Sequence, residues 1–279
     1  QYVRPVTVDE FRIATAEAYD VIVEPTGAEA FTIFAQAMDR SGYARGTLSP
    51  RAGLAAPVPA LDTRPLLTMA DMGHGGHDMK GMEGSCGAGM ASMKGMEGGC
   101  GANMAGMDHS QMDHAAMGHG DAKDATPAGT SGMVSHPASE TGNPAVDMQT
   151  MSPSRSLSDP GIGLRGNGRR VLTYSDLHST FSDPDPREPG RTLELHLTGN
   201  MERYVWGFDG IPFSKAEPIR LNYGERMRIV LVNDTMMEHP IHLHGLWSDL
   251  ENEAGEFQVR KHTVSVPPGH VRSYRVSAD

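Results

Sequence analysis

The sequence predicts an all-β protein interrupted by a long segment that cannot build a core. Three observations carry that expectation. Short runs of alternating apolar and polar residues, separated by Gly- and Pro-containing turns, occupy both ends of the chain. No stretch shows the periodicity of a long amphipathic helix. Between the patterned ends the composition shifts to Gly, Pro, Ala, Ser and Met.

Taken in order, residues 1–48 read as strands. Tyr19, Val21 and Val23 alternate with polar or small partners, Pro25 to Glu29 reads as a turn, and Phe31-Thr-Ile-Phe-Ala35 is the next strand. Residues 49–168 read as a disordered linker, because they offer too little apolar surface to offset chain entropy. An internal repeat runs through it: Lys80-Gly-Met-Glu-Gly-Ser-Cys-Gly-Ala-Gly-Met90 recurs as Lys94-Gly-Met-Glu-Gly-Gly-Cys-Gly-Ala-Asn-Met104. Residues 169–279 return to strand patterning. Leu193, Leu195 and Leu197 alternate with Glu194 and His196. Ile219 and Leu221 precede a Gly224 turn, and Met227, Ile229 and Leu231 form another run. Pro267-Pro-Gly269 marks a turn before Val271 and Tyr274. Several short strands with turns between them suggest a β-sandwich or barrel.

Composition excludes some functions. The 279 residues carry a formal net charge of −11, which argues against a general nucleic-acid binder. No apolar run approaches the ~18 residues of a membrane span. The chain opens on Gln1 without a secretory leader pattern and stops just after a strand-like run, so a piece of a larger protein is expected. Cys86 and Cys100 could be a disulfide, free thiols or metal ligands.

The sharpest motif is His239-Pro-Ile-His-Leu-His-Gly245. Strand side chains alternate faces, so His242 and His244 share one face and His239 has the opposite parity. Imidazole suits copper and zinc. Pro240 limits the run to an edge or a strand start. A second metal-binding candidate is compositional. Eleven Met lie from Met69 to Met117, with His74, His77, His109, His114 and His119 nearby. Thioethers are soft ligands for Cu(I). Met104, Met107, His109, Met112, His114 and Met117 form the densest stretch.

The histidine string resembles the first histidine motif of the C-terminal domain of multicopper oxidases. Asn200-Met-Glu-Arg-Tyr-Val-Trp-Gly-Phe-Asp-Gly210, Arg260-Lys-His-Thr263, Pro267-Pro-Gly269 and Phe34-Ala-Gln-Ala-Met-Asp-Arg-Ser-Gly-Tyr-Ala-Arg-Gly46 are similar to the copper resistance protein A branch, which carries a Met- and His-rich insert before its last domain. The resemblance implies a cupredoxin-like Greek-key sandwich over 169–279, lacking its last strands, and the end of a preceding cupredoxin domain over 1–48. It implies His239 as a type 1 copper ligand, His242 as type 2 and His244 as type 3, with no catalytic group beyond the copper ligands. The upstream His-x-His motifs and the downstream His-Cys-His of the family are missing from this chain.

The expected function is therefore that of a piece of a periplasmic copper-tolerance oxidase. It would couple oxidation of Cu(I) or a phenol to four-electron reduction of dioxygen to water. Its partners would be copper ions, dioxygen and other periplasmic copper-handling proteins, and this piece alone would be inactive. A non-catalytic copper-sequestering protein is the alternative, and a cupin-like zinc or iron enzyme a weaker third. His196 is expected to be exposed or packed against polar groups, His262 to be a structural residue, with support of the site as the lesser reading, and His178 and His270 to lie on the surface.

Overall fold

The computed structural model describes residues 2–74 and 134–279. Thirteen strands and a few single 3-10 turns make up the regular structure, and the described residues contain no α-helix. β1 (Glu10–Phe11), β2 (Phe31–Gln36) and β3 (Tyr43–Leu48) lie in the N-terminal part. The rest are β4 (Val171–Leu172), β5 (Arg191–Asn200), β6 (Val205–Phe208), β7 (Ile211–Pro212), β8 (Glu225–Asn233), β9 (His239–His242), β10 (Ser248–Glu251), β11 (Phe257–Lys261), β12 (Thr263–Val266) and β13 (Val271–Ala278). None of the described helical turns is long or apolar enough to cross a membrane.

The main sheet has seven strands in the order β11-β10-β13-β8-β5-β6-β7. Its centre is a parallel pair, β5 on β8, running from Arg191↔Met227 to Leu197↔Asn233. β13 lies antiparallel to β8 on the other side. These strands follow the period-2 pattern of the sequence. Leu195, Leu197, Met227, Ile229, Leu231, Leu250, Tyr274 and Val276 all point to one face and are at most 8% exposed. Val264 and Val266 of the small β9–β12 sheet close over that face, and neither is exposed. The core is thus a two-layer sandwich filled by alternate residues.

Two sequence expectations need correction. Residues 19–23 form no strand. Val21, Ile22 and Val23 are 59%, 80% and 63% exposed, because no described strand pairs with them. The hairpin instead joins β2 to β3, so the predicted strand at Phe31 exists but with a different partner. The second concerns the expected linker, whose described ends are ordered. Leu157 is 4% exposed within the main core. Residues 134–150 lie on the second face of the sheet, where Val134 packs on Val230, Val232 and Val271. One aliphatic residue per several polar ones was too sparse a pattern to read as core, yet a single Leu suffices where a formed sheet supplies the rest of the contact surface. At the other described end, Gly269 takes φ +61°, and an added Cβ would meet Asp71 O and Gly73 N at 2.6 Å. Only glycine fits this approach between the Pro267-Pro-Gly269 turn and residues 71–73.

The N-terminal segment is tied to the sandwich by a buried ion pair. Lys261 Nζ lies 2.7 Å from Glu17 Oε1, with both side chains at most 3% exposed. The rings of Tyr19 and Tyr174 flank the ammonium at 4.7 and 4.8 Å from their centroids.

Candidate metal centre

The histidine string begins on β9, which pairs antiparallel with β12: Val266↔His239, Ser265↔Pro240, Val264↔Ile241, Thr263↔His242. The strand ends at His242, two residues earlier than the alternation predicts, and His244 sits in the following turn. Gly245 takes φ +81° there, a conformation that glycine adopts without strain. The expected pairing survives this change. The rings of His242 and His244 lie edge to face, with centroids 4.9 Å apart. Both side chains are exposed.

His239 has a separate environment. Its ring packs edge to face on Trp206 at 5.0 Å. Its Nε2 lies 2.8 Å from the Thr235 hydroxyl. That hydroxyl has carbonyl-type acceptors at Asn233 Oδ1, 2.8 Å, and Met237 O, 3.1 Å. Its single proton goes to one of them, so the His239 ring donates from Nε2 and keeps a lone pair on Nδ1. Burial pushes the His239 pKa down to about 4, which holds the imidazole neutral and able to ligate near pH 7.

His242 has the opposite tautomer. Its Nδ1 lies 2.6 Å from the carbonyl of His262, which can only accept. The ring therefore donates from Nδ1 and presents Nε2. The His262 ring stands 5.7 Å from that of His242, and Trp247 stands 6.4 Å from His262. Backbone carbonyls and hydroxyls that fix imidazole tautomers are the usual surroundings of metal-binding histidines. The donor set thus fits copper in part: three imidazoles, two lone pairs aimed by neighbours, and no thiolate among the described residues. Met104, Met107, His109, Met112, His114, Met117, Cys86 and Cys100 lie outside the described residues.

Of the other histidines, His196 meets the polar packing that was one of its two expected settings, and His270 departs from the expected surface position. His196 is buried, 1% exposed, and bonded to Asp234 through Nδ1 at 2.6 Å. Burial alone would lower its pKa, but Asp234, Glu194 and Glu140 outweigh that and push it up to about 10. His270 is also buried, with Nδ1 2.7 Å from Pro268 O and Nε2 3.2 Å from Asp159. Asp234 and Glu140 reach His196, and Asp159 reaches His270, from distant segments, so no local pattern announced those contacts. His178 is exposed, as expected.

Residues 186–279, which hold most of this β-sandwich and its imidazole-bearing strand, match the family model of multicopper oxidases. This gives the sandwich its cupredoxin-like class and makes copper the cofactor. The whole chain is 65% identical over 281 residues to copper resistance protein A of Escherichia coli and 62% identical over 285 residues to copper resistance protein A of Pseudomonas syringae pv. tomato. It spans 46% and 47% of those proteins, under half their length. Among solved structures, the blue copper oxidase of Nitrosomonas europaea aligns over 39% of this chain and 38% of its own, at 19% identity and a TM-score of 0.30.

Proposed function

We propose that the chain is part of a longer periplasmic copper-resistance oxidase that couples oxidation of Cu(I) or phenolic substrates to four-electron reduction of dioxygen to water. One observation carries this reading. The string from His239 to Gly245 lies within a multicopper oxidase domain, and its first histidine is packed away from the other two. In this reading His239 serves the type 1 copper through Nδ1, His242 the type 2 copper through Nε2, and His244 the type 3 pair. Copper, when bound, supplies the one-electron steps and the reduction of dioxygen. The chain's own groups do the positioning. Thr235 and the His262 carbonyl fix which ring nitrogen faces a metal. Trp206 shields His239 from water. The open side of His242 and His244 leaves room for a small reactant.

In the same reading, residues 1–48 are the end of a preceding cupredoxin domain. The Met-rich stretch around Met104, Met107, His109, Met112, His114 and Met117 binds Cu(I) for delivery or storage, exchanging with other periplasmic copper carriers. This chain alone, lacking the other copper motifs, turns over no substrate.

Oxygen uptake by the protein extended to the length of its relatives tests the reading. The expected result is one dioxygen consumed for every four Cu(I) oxidised, with no peroxide released. Tight copper binding without oxygen uptake would favour sequestration instead.

A further inference from the structure

On the second face of the sheet, four side chains converge that the oxidase reading does not use. His136 and Glu140 come from the segment that crosses this face, His196 from β5, and Asp234 from just after β8. One donor atom of each lies within 4.8 Å of every other. Glu140 and Asp234 have side chains with no exposed surface, His196 is 1% exposed and His136 14%. The rings of His136 and His196 stand edge to face at 4.9 Å.

The ring nitrogens are sorted by their outer partners. His136 Nε2 lies 2.9 Å from the carbonyl of Thr150, so it carries the proton. His136 Nδ1 then faces Glu140 Oε2 at 3.0 Å and Asp234 Oδ2 at 3.3 Å. His196 Nε2 faces Glu194 at 3.5 Å, outside the cluster, while its Nδ1 faces Asp234 Oδ2 at 2.6 Å and Glu140 Oε1 at 3.9 Å. A hydrogen-bond acceptor beyond the His136 ring, a carboxylate near the outer nitrogen of His196 and carboxylates within are the pattern of metal-held histidines. Glu140 Oε1 is fully buried and has no hydrogen-bond partner, although it points into this space. An orphaned carboxylate oxygen in a protein interior is costly and calls for a cation.

We propose that His136, Glu140, His196 and Asp234 bind one divalent transition-metal ion of the zinc type, as a structural site separate from the copper histidines. Two nitrogens and two carboxylate oxygens form a tetrahedral set that zinc favours, with ligands at about 2.0 Å and hence about 3.3 Å from one another. The nitrogen-to-carboxylate separations, 2.6 to 3.9 Å, bracket that value, and the four donors all lie within 4.8 Å of one another. A dication with two neutral imidazoles and two carboxylates leaves the buried cluster uncharged. The ion would tie residues 134–150 to the sheet, alongside Thr150 N to Asp234 Oδ1 at 2.7 Å and Asp147 N to Gly199 O at 3.0 Å.

The test counts zinc in the chain carrying alanine at His239, His242 and His244, with and without Glu140→Gln or His136→Gln. The expected result is the loss of one zinc per chain in each variant, or a weakening beyond the roughly 10–100-fold that outer partners alone are worth. Equal stoichiometry and affinity in all three proteins would overturn the proposal. Should the variants fail to fold, the triple-alanine parent decides with Co2+ in place of zinc. Ligand-field bands of a tetrahedral nitrogen and oxygen site, without a thiolate band, support it. Their absence at saturating Co2+ overturns it and leaves the cluster a network of protonated histidines and carboxylates.

Discussion

His242 with His244, and His136 with His196, hold their rings in nearly the same arrangement: centroids 4.9 Å apart in both, with interplanar angles of 71° and 64°. Their surroundings are opposite. The first pair is exposed, and among the described residues no carboxylate bonds to it. The second is sealed under the segment 134–150, against Glu140 and Asp234. In the proposed reading, in which the first pair is reactive and the second structural, ring geometry alone does not separate the two; access and compensating charge do. A catalytic site keeps a position open, and a structural site is closed by its ligands.

The largest break in this comparison should come from stability. His196→Ala in the metal-free chain leaves Glu140 and Asp234 uncompensated and should cost ~3–5 kcal/mol. His244→Ala should stay within about 0.5 kcal/mol, as surface substitutions do. Urea unfolding of both variants checks this. Leu157→Ala should cost ~2–4 kcal/mol through the cavity it leaves. A loss below about 1 kcal/mol would return residues 134–168 to the status of a linker. Thr235→Val should weaken metal binding at His239 roughly 10–100-fold by releasing its Nε2, and leave the His242–His244 pair unaffected, as metal titration would show.

The smallest effect is in pH. His239 is neutral in the fold with its pKa near 4, below the ordinary 6.5. Its contribution is present above pH 6.5 and is lost as pH falls from 6.5 toward 4. His196, raised to about 10, works the other way: its contribution is present below pH 6.5 and is lost as pH rises toward 10. In the metal-free chain, His239→Ala should flatten the acid limb of the stability curve. His196→Gln should flatten the alkaline limb. Each change is on the order of 1 kcal/mol after solvent screening.

Much of the sandwich was legible because it obeys a local rule. Leu195 and Leu197, Met227, Ile229 and Leu231, and Val271 and Tyr274 follow period 2 or simple turn signals, and each lies in the strand the pattern predicts. The string at His239 was legible for the same reason, its donors being neighbours in sequence. What was missed depends on distance along the chain. His136 and Asp234 meet only after β5 and β8 pair in parallel, and Leu157 is core only because β-strands far from it in sequence form the wall. Residues 19–23 misled in the opposite sense: alternation marks a strand only where a partner strand is present.

The separation of His239 from His242 and His244 is the centre of this account. The direct measurement is the visible spectrum and copper content of the protein at its relatives' length, for His239→Ala, His242→Ala and His244→Ala. The account predicts that His239→Ala loses the blue thiolate-to-copper absorption while the other coppers still load. It predicts that His242→Ala and His244→Ala keep the blue colour, bleach with reductant and fail to recover in oxygen. Loss of the same copper in all three variants would contradict it and make the string a single mononuclear site.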